Sequence, residues 1–203
     1  MSLIIKVCGM REDDNIREVE NIGIDMMGFI FWPKSSRYVS ERPAYLPTNC
    51  KRVGVFVNED IEQVKRIAND YALTLIQLHG NESSEDVGQL RKWKIIKAFN
   101  VATIEDLKQT KAYEGLADYF LFDTKGKSVG GNGEQFDWDI LQHYNGDTPF
   151  RLSGGIGPED AERLKYWYHP KCIGIDINSR FEIAPAYKDT DKIKTFINTI
   201  RIK

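Results

Sequence analysis

The sequence has little that would bind a metal ion or cross a membrane. It contains three histidines and three cysteines, Cys8, Cys50 and Cys172, and no Cys-x-x-Cys pair. Structural zinc sites need clustered cysteines and histidines, so no zinc site is expected. Isolated thiols are typical of a protein kept reduced in the cytoplasm. No apolar run approaches the roughly 18 residues that a membrane-spanning helix requires.

A field of one charge sign is also missing. The 203 residues include 28 basic and 30 acidic ones, for a net charge of -2, so no broad basic surface for nucleic acid is expected. The short N-terminal apolar stretch is followed at once by Arg11, Glu12 and Asp13, which is not the layout of a signal peptide. Apolar residues make up 41% of the chain and charged residues 29%. We therefore expect one globular domain over residues 1–203, with no nucleic-acid or membrane partner.

Short apolar runs rich in β-branched residues recur along the chain. They are LIIKV from Leu3, DMMGFIF from Asp25, RVGVFV from Arg52, TLIQL from Thr74, KIIKAF from Lys94, YFLF from Tyr119, PFRL from Pro149 and CIGIDI from Cys172. Most do not alternate between apolar and polar residues, as is typical of parallel strands covered on both faces. Their spacing leaves room for a helix between most strands, which predicts a single-domain α/β fold, a (β/α)8 TIM barrel. An open doubly wound sheet is the alternative, although no Gly-x-Gly-x-x-Gly motif follows the first run.

Amphipathic helical patterns lie between several of these runs. They are REDDNIREVENIG, EDIEQVKRIANDY, PEDAERLKYW and DTDKIKTFINTI. In the second pattern, Ile61, Val64 and Ala68 fall on one helical face. Weaker helical patterns follow the fifth and sixth runs, and the glycine-rich stretch from Lys125 to Gln135 is predicted to be a loop that closes over a site.

Polar and reactive residues follow four of the runs at the same end. Cys8, Arg37, His79 and Asp123 come after the first, second, fourth and sixth runs. Active sites of TIM barrels are built from the loops after the strands, so we expect these side chains to converge. Taken singly, they have structural interpretations as a buried thiol, a surface charge, a half-buried histidine and a loop cap. Their common position favours a shared site.

The last two runs are followed by residues suited to a phosphate group. In LSGGIGPED, Gly154 and Gly155 precede a helix predicted to begin at Pro158, which would leave backbone N–H groups free at the positive end of the helix dipole. Asn178 and Ser179 follow the eighth run. Loops after strands seven and eight often form a phosphate site in these barrels, although an ordinary glycine turn is the alternative.

Several motifs occur together in one order along nearly the whole chain. They are KVCGM, GFIF, SSRYVS, GVFVN, IQLHG, FDTK, GGNGEQFDW, LSGGI and DINSRFE. In this combination the chain resembles the phosphoribosylanthranilate isomerase family of tryptophan biosynthesis. The resemblance implies an Amadori rearrangement of N-(5'-phosphoribosyl)anthranilate to 1-(2-carboxyphenylamino)-1-deoxyribulose 5-phosphate. It implies no cofactor and no metal.

The resemblance also implies a role for each predicted site residue. It matches Cys8 to the general base and Asp123 to the general acid. It matches Arg37 to the residue that binds the anthranilate carboxylate, and His79 to a second substrate-binding residue. The matched phosphate-binding positions are Gly154, Gly155, Asn178 and Ser179.

The chain departs from the family pattern at three positions. Ser36 stands where proline is common, and Arg180 and Ala186 stand where glycine is expected. None of these positions is the expected acid or base. Two further functions remain open from the residues alone, another sugar-phosphate epimerase or isomerase and a phosphate-ligand barrel without catalysis. Either a monomer or a homodimer is compatible with the sequence.

Overall fold

The structure, a computed structural model, describes residues 3–124 and 137–201. Its main element is a closed parallel β-barrel. Its eight strands are β1 (Ile4–Val7), β2 (Met26–Ile30), β3 (Lys51–Phe56), β4 (Leu75–Leu78), β5 (Lys94–Val101), β6 (Tyr119–Thr124), β7 (Phe150–Leu152) and β8 (Cys172–Ile177). Each strand coincides with one of the apolar runs. Strands covered on both faces bury successive side chains, and this makes them visible as continuous apolar segments.

The sheet closes on itself through β1. Lys6 of β1 pairs in parallel register with Met26 of β2 on one side and with Asp176 of β8 on the other. An open doubly wound sheet would leave two unpaired edges, so that alternative is wrong. The predicted TIM barrel is confirmed.

Within the part of the chain that the structure describes, five α-helices lie in the connections after the strands. They are α1 (Asp13–Asn21), α2 (Ile61–Asp70), α3 (Ser84–Gly88), α4 (Ala161–Tyr166) and α5 (Thr190–Arg201). All but α3 coincide with the predicted helical patterns. The short α3 has a readable start, because Ser83 and Asp86 form a reciprocal capping box. None of the helices in the described ranges is long and apolar enough to cross a membrane.

Several connections differ from a regular β/α repeat. Residues 31–50, between β2 and β3, form turns and no helix. Prolines at 33, 43 and 47 break any helical pattern there. The weaker helical patterns after β5 and β6 correspond to the 3-10 helices Ile104–Tyr113 and Trp138–His143, and the helix predicted at Pro158 begins with the 3-10 turn Pro158–Asp160.

A small hairpin follows β8 and was not predicted. Its strands β9 (Glu182–Ala184) and β10 (Tyr187–Lys188) pair in antiparallel register. Ala186 in its turn has a φ of 69°, in the left-handed region that favours glycine. The expectation of glycine at this position therefore has a conformational reason.

The barrel interior is partly polar. A small apolar cluster fills part of it: Met26, Val53, Leu75, Ile96, Ala98 and Leu121. Five polar side chains are also buried on this inner face: Lys6, Gln77, Asp123, Arg151 and Asp176. Burial of polar groups carries a desolvation cost, so groups retained in this position are candidates for function.

Candidate active site

One cavity lies at the carboxyl end of the barrel strands, where a TIM barrel builds its site. It encloses about 710 Å³, including solvent at its mouth. All eight predicted site residues line it: Cys8, Arg37, His79, Asp123, Gly154, Gly155, Asn178 and Ser179. The structure therefore brings together residues that the sequence separates by up to 171 positions (179 − 8).

Cys8 lies just past β1 with its thiol turned into the barrel. A Cβ atom at Gly28 on the neighbouring strand would lie 2.8 Å from Cys8 Sγ and 3.2 Å from Lys6 Nζ, so the missing side chain at residue 28 makes room for both groups. Burial raises the pKa of the Cys8 thiol, and the nearby Lys6 ammonium opposes that shift. The thiol is therefore mostly protonated at neutral pH, with two buried cations, Lys6 and Lys188, to favour the thiolate.

Lys6 forms a buried ion pair beneath the cavity. Its Nζ lies 2.7 Å from Oδ2 of Asp176, and both side chains are almost fully buried. Although burial opposes the charge, Asp176 and Cys8 raise the pKa of Lys6. Asp176 also lines the cavity, and its Oδ1 has no hydrogen-bond partner within residues 3–124 and 137–201. Asp176 therefore combines an ion-paired oxygen, Oδ2, with a buried oxygen, Oδ1, that no hydrogen bond from the described residues satisfies.

Asp123 is held at the end of β6. Its Oδ1 accepts a hydrogen bond of 2.8 Å from the backbone N–H of Thr124. Its Oδ2 lies 3.2 Å from Nε2 of His79, close but not aligned as a hydrogen bond. Nε2 of Gln77 lies 3.0 Å from Nδ1 of His79. An amide nitrogen is a donor, so Nδ1 of His79 accepts from Gln77 in this arrangement, which holds the imidazole ring beside Asp123.

Arg37 is fixed on one edge of its guanidinium. Its Nε and Nη2 donate to Oε1 and Oε2 of Glu182 at 2.8 and 2.6 Å. Although burial opposes it, the hydrogen bond from Arg37 helps to hold the pKa of Glu182 below its usual range. A guanidinium has a second donor edge, formed by Nη1 and Nη2. That second edge has the geometry to bind a further carboxylate.

Gly9 makes the approach of Arg37 possible. Its φ is 76°, and a Cβ atom there would lie 2.6 Å from Cδ of Arg37 and 2.8 Å from Oδ1 of Asn178. Both distances are shorter than van der Waals contact. Glycine at position 9 is therefore required by conformation and by space.

The loop after β7 turns through two left-handed glycines. Gly154 and Gly155 have φ values of 85° and 66°. A Cβ atom at Gly154 would lie 2.2 Å from Oγ1 of Thr124, so no side chain fits there. The backbone N–H of Gly157 is already bound by the Asp160 carboxylate at 2.7 Å. The expected contribution of this helix start to anion binding is therefore limited, and the glycine turn itself is the better candidate.

Arg180 has a partner on the neighbouring loop. Its guanidinium forms an ion pair with Glu159, and both side chains are partly exposed. The pair joins the loop after β8 to the helix start after β7.

Several residues of the site were not identified from the sequence. They are Lys6, Gln77, Asp176, Glu182 and Lys188, all within the quoted motifs or close to them. The first three interrupt apolar strand runs with a charge or an amide, and this signal could have identified them. The residues of the proposed lid, 125–135, lie outside the described ranges. The described residues contain no group of histidine, cysteine and acidic side chains placed to hold a metal ion.

A family model and the curated relatives identify one family. A family model described as N-(5'phosphoribosyl)anthranilate (PRA) isomerase matches residues 5–199. A protein of Phocaeicola vulgatus named N-(5'-phosphoribosyl)anthranilate isomerase is 52% identical and is covered, like this chain, over 99% of its length.

Two solved structures of similar proteins share the fold over 99% of both chains. One is a phosphoribosyl anthranilate isomerase in complex with reduced 1-(o-carboxyphenylamino)-1-deoxyribulose 5-phosphate, with a TM-score of 0.82 and 30% identity. The other is a monomer generated from the dimeric enzyme of Thermotoga maritima, with a TM-score of 0.79 and 29% identity.

Proposed function

The chain belongs to the N-(5'-phosphoribosyl)anthranilate isomerase family, whose members act in tryptophan biosynthesis, and we propose that Cys8 is the general base and Asp123 the general acid of this chain. The observation that carries this proposal is the shared cavity. Both residues line it together with a cationic side chain and a glycine turn. The substrate carries a carboxylate at one end and a phosphate at the other. A site that binds both ends and places an acid and a base between them suits this rearrangement.

Asp123 acts first in this mechanism. It donates a proton to the ribose ring oxygen, and the C1–O bond breaks as the nitrogen lone pair forms the C1=N bond. The open-chain product is a protonated imine (iminium). The contact of Asp123 with Thr124 orients the carboxyl group, and the nearby ring of His79 occupies its other side. Proton transfer from a positioned side chain is worth roughly 10²–10⁴ in rate.

Cys8 acts second. The iminium makes the proton on C2 acidic, and the Cys8 thiolate removes it to give an enolamine. Transfer of the O2 proton and protonation at C1 then give the 2-ketone. Burial raises the pKa of the thiol, and the buried ammonium groups of Lys6 and Lys188 oppose that shift and favour the reactive thiolate.

The two ends of the substrate bind to different loops. The second edge of Arg37, where Nη1 makes only a long contact of 3.5 Å with Oγ of Ser36, receives the anthranilate carboxylate, while Glu182 holds the first edge. His79 contacts the sugar between the two ends. The turn of Gly154 and Gly155, with Asn178 and Ser179, receives the phosphate. These assignments are supported by the cavity lining and the glycine conformations.

Activity measurements on matched variants test the proposal. N-(5'-phosphoribosyl)anthranilate is generated in situ, and the loss of its fluorescence is followed with the wild type, Cys8→Ala and Asp123→Asn. Each variant should lose at least about a hundredfold in kcat while remaining folded. Cys50→Ala and Asp147→Asn, away from the cavity, serve as controls and should keep wild-type rates. Full turnover by Cys8→Ala would return that thiol to a packing role. A folded wild type without turnover would instead favour a phosphate-ligand barrel.

The setting of the enzyme is also a proposal. The three free cysteines suit the reducing cytoplasm. We propose a monomer or a homodimer, because a similar enzyme is described both as a dimer and as a generated monomer. Light scattering across a concentration series distinguishes the two states.

A further inference from the structure

Lys188 of β10 places a buried ammonium between two residues of the site. Its Nζ donates to Oε1 of Glu182 at 2.6 Å and to Oδ1 of Asn178 at 2.7 Å. The side chain is fully buried, so water does not replace either contact. Lys188 does not itself line the cavity.

The two partners of Lys188 serve opposite ends of the proposed substrate. Glu182 holds Arg37, the proposed anchor of the anthranilate carboxylate, through two hydrogen bonds. Asn178 belongs to the loop after β8, proposed to bind the phosphate. Arg37, Glu182, Lys188 and Asn178 thus form one continuous chain of contacts, in which the first and last residues line the cavity and the middle two lie behind it.

The backbone of Lys188 is fixed independently of this chain. Asn15 of α1 accepts from the N–H of Lys188 at 2.7 Å and donates to its carbonyl oxygen at 2.9 Å. Asn15 is fully buried. The ammonium therefore extends from an anchored backbone, so its position is set by the barrel and not by the flexible part of a surface side chain.

We infer that Lys188 is a positioning residue that joins the two substrate anchors, by holding Glu182 against Arg37 and holding Asn178 at the same time. The inference rests on the proposed function of Arg37 and Asn178. With both anchors joined, the distance between them is fixed before the substrate binds. This preorganisation favours a substrate that carries a carboxylate and a phosphate on one chain.

Charge supports the same role. Arg37 and Lys188 are cationic and Glu182 is anionic, so the three side chains carry a net positive charge beside an anion site. Loss of the Lys188 charge makes this group neutral. The carboxylate of Glu182 would then compete more strongly for Arg37.

A double-mutant cycle tests the joining role directly. Glu182→Gln and Asn178→Ala are measured alone and together, first with Lys188 present and then in the Lys188→Met background. With Lys188 present, their effects on kcat/KM should be non-additive by at least about threefold, because they belong to one network. In the Lys188→Met background, the effects should multiply simply. Coupling that persists without Lys188, or no coupling with it, overturns the inference.

The single variant needs a control of equal charge change. Lys188→Met should reduce kcat/KM at least about tenfold, whereas Lys192→Met, which removes an exposed lysine paired with Asp189, should leave it within about twofold. A purely structural role for Lys188 would lower stability but leave kcat/KM of the folded protein unchanged, and this result also overturns the inference. If Lys188→Met does not fold, the cycle with Lys188 present still decides, since additivity refutes joining.

The measurements distinguish an error in the role of Lys188 from an error in the proposed function. A folded wild type without turnover refutes the proposed function. In that case the same cycle is measured as binding of reduced 1-(o-carboxyphenylamino)-1-deoxyribulose 5-phosphate by calorimetry. Non-additive binding losses that require Lys188 would support the joined anchors, and additive losses or absence of binding by the wild type would overturn them.

Discussion

Replacing Gly9 with alanine should damage both the stability and the substrate site. The φ of 76° lies in the left-handed region, which costs an L-residue about 1–2 kcal/mol. The added Cβ atom would also lie 2.6 Å from Cδ of Arg37 and 2.8 Å from Oδ1 of Asn178. Overpacking of this kind costs about 1–3 kcal/mol. The free energy of unfolding should therefore fall by about 2–5 kcal/mol.

Gly23 provides a matched control for the backbone effect. Its φ is 84°, but no atom lies within 4 Å of the position of an added Cβ. Gly23→Ala should therefore lose only the conformational term of about 1–2 kcal/mol. Both variants lose a glycine from the unfolded chain, so this contribution cancels in the comparison. The difference between them measures the cost of crowding Arg37 and Asn178.

The assay combines urea unfolding, followed by circular dichroism, with steady-state kinetics. Gly9→Ala should be about 1–3 kcal/mol less stable than Gly23→Ala, and its KM should rise at least about tenfold because Arg37 is displaced. Gly23→Ala should keep the wild-type KM. Equal losses of stability in the two variants, with KM unchanged in both, would refute the close approach of Arg37 to residue 9.

Three further predictions concern buried charges. Lys6→Met should reduce the free energy of unfolding in urea by about 3–5 kcal/mol, because Asp176 is left unpaired. Adding Asp176→Leu should recover most of that loss, and no recovery would contradict the pairing. The nitrogens of Arg151 have no hydrogen-bond partner within the described ranges. Arg151→Met should therefore raise the free energy of unfolding in urea by about 1–3 kcal/mol. A lower free energy of unfolding would show that the contact of Arg151 with Tyr119 dominates. Burial lowers the pKa of Lys188 to about 8, so Lys188 loses its positive charge as the pH rises through that value. Anthranilate binding, followed by fluorescence, should weaken over this pH range in the wild type but not in Lys188→Met.

The local sequence was sufficient for the strands and for much of the site. All eight strands were readable because strands covered on both faces need nearly continuous apolar residues. The sequence therefore also located the carboxyl end of each strand, and in a TIM barrel these ends surround one site. Cys8, His79 and Asp123 could for that reason be assigned to one cavity without coordinates.

Other elements had no comparable local signal. Strands β9 and β10 have only three and two residues, too few for a periodic pattern. Residues 31–50 form no helix, although the regular repeat called for one. The partner of Arg37 lies 145 positions away, a distance at which sequence spacing carries no information about contact.

By itself, the sequence determined the alternation of strands and connections, the family motifs and the chemical types at the strand ends. Those properties depend on side-chain polarity and short-range backbone preference, which are local. Only the tertiary structure decided that Glu182 holds one edge of Arg37, that Lys6 lies beside Cys8, and that Lys188 joins two loops. These contacts arise when barrel closure brings distant strands together. Burial then gives their charges a strength that they do not have in the unfolded chain.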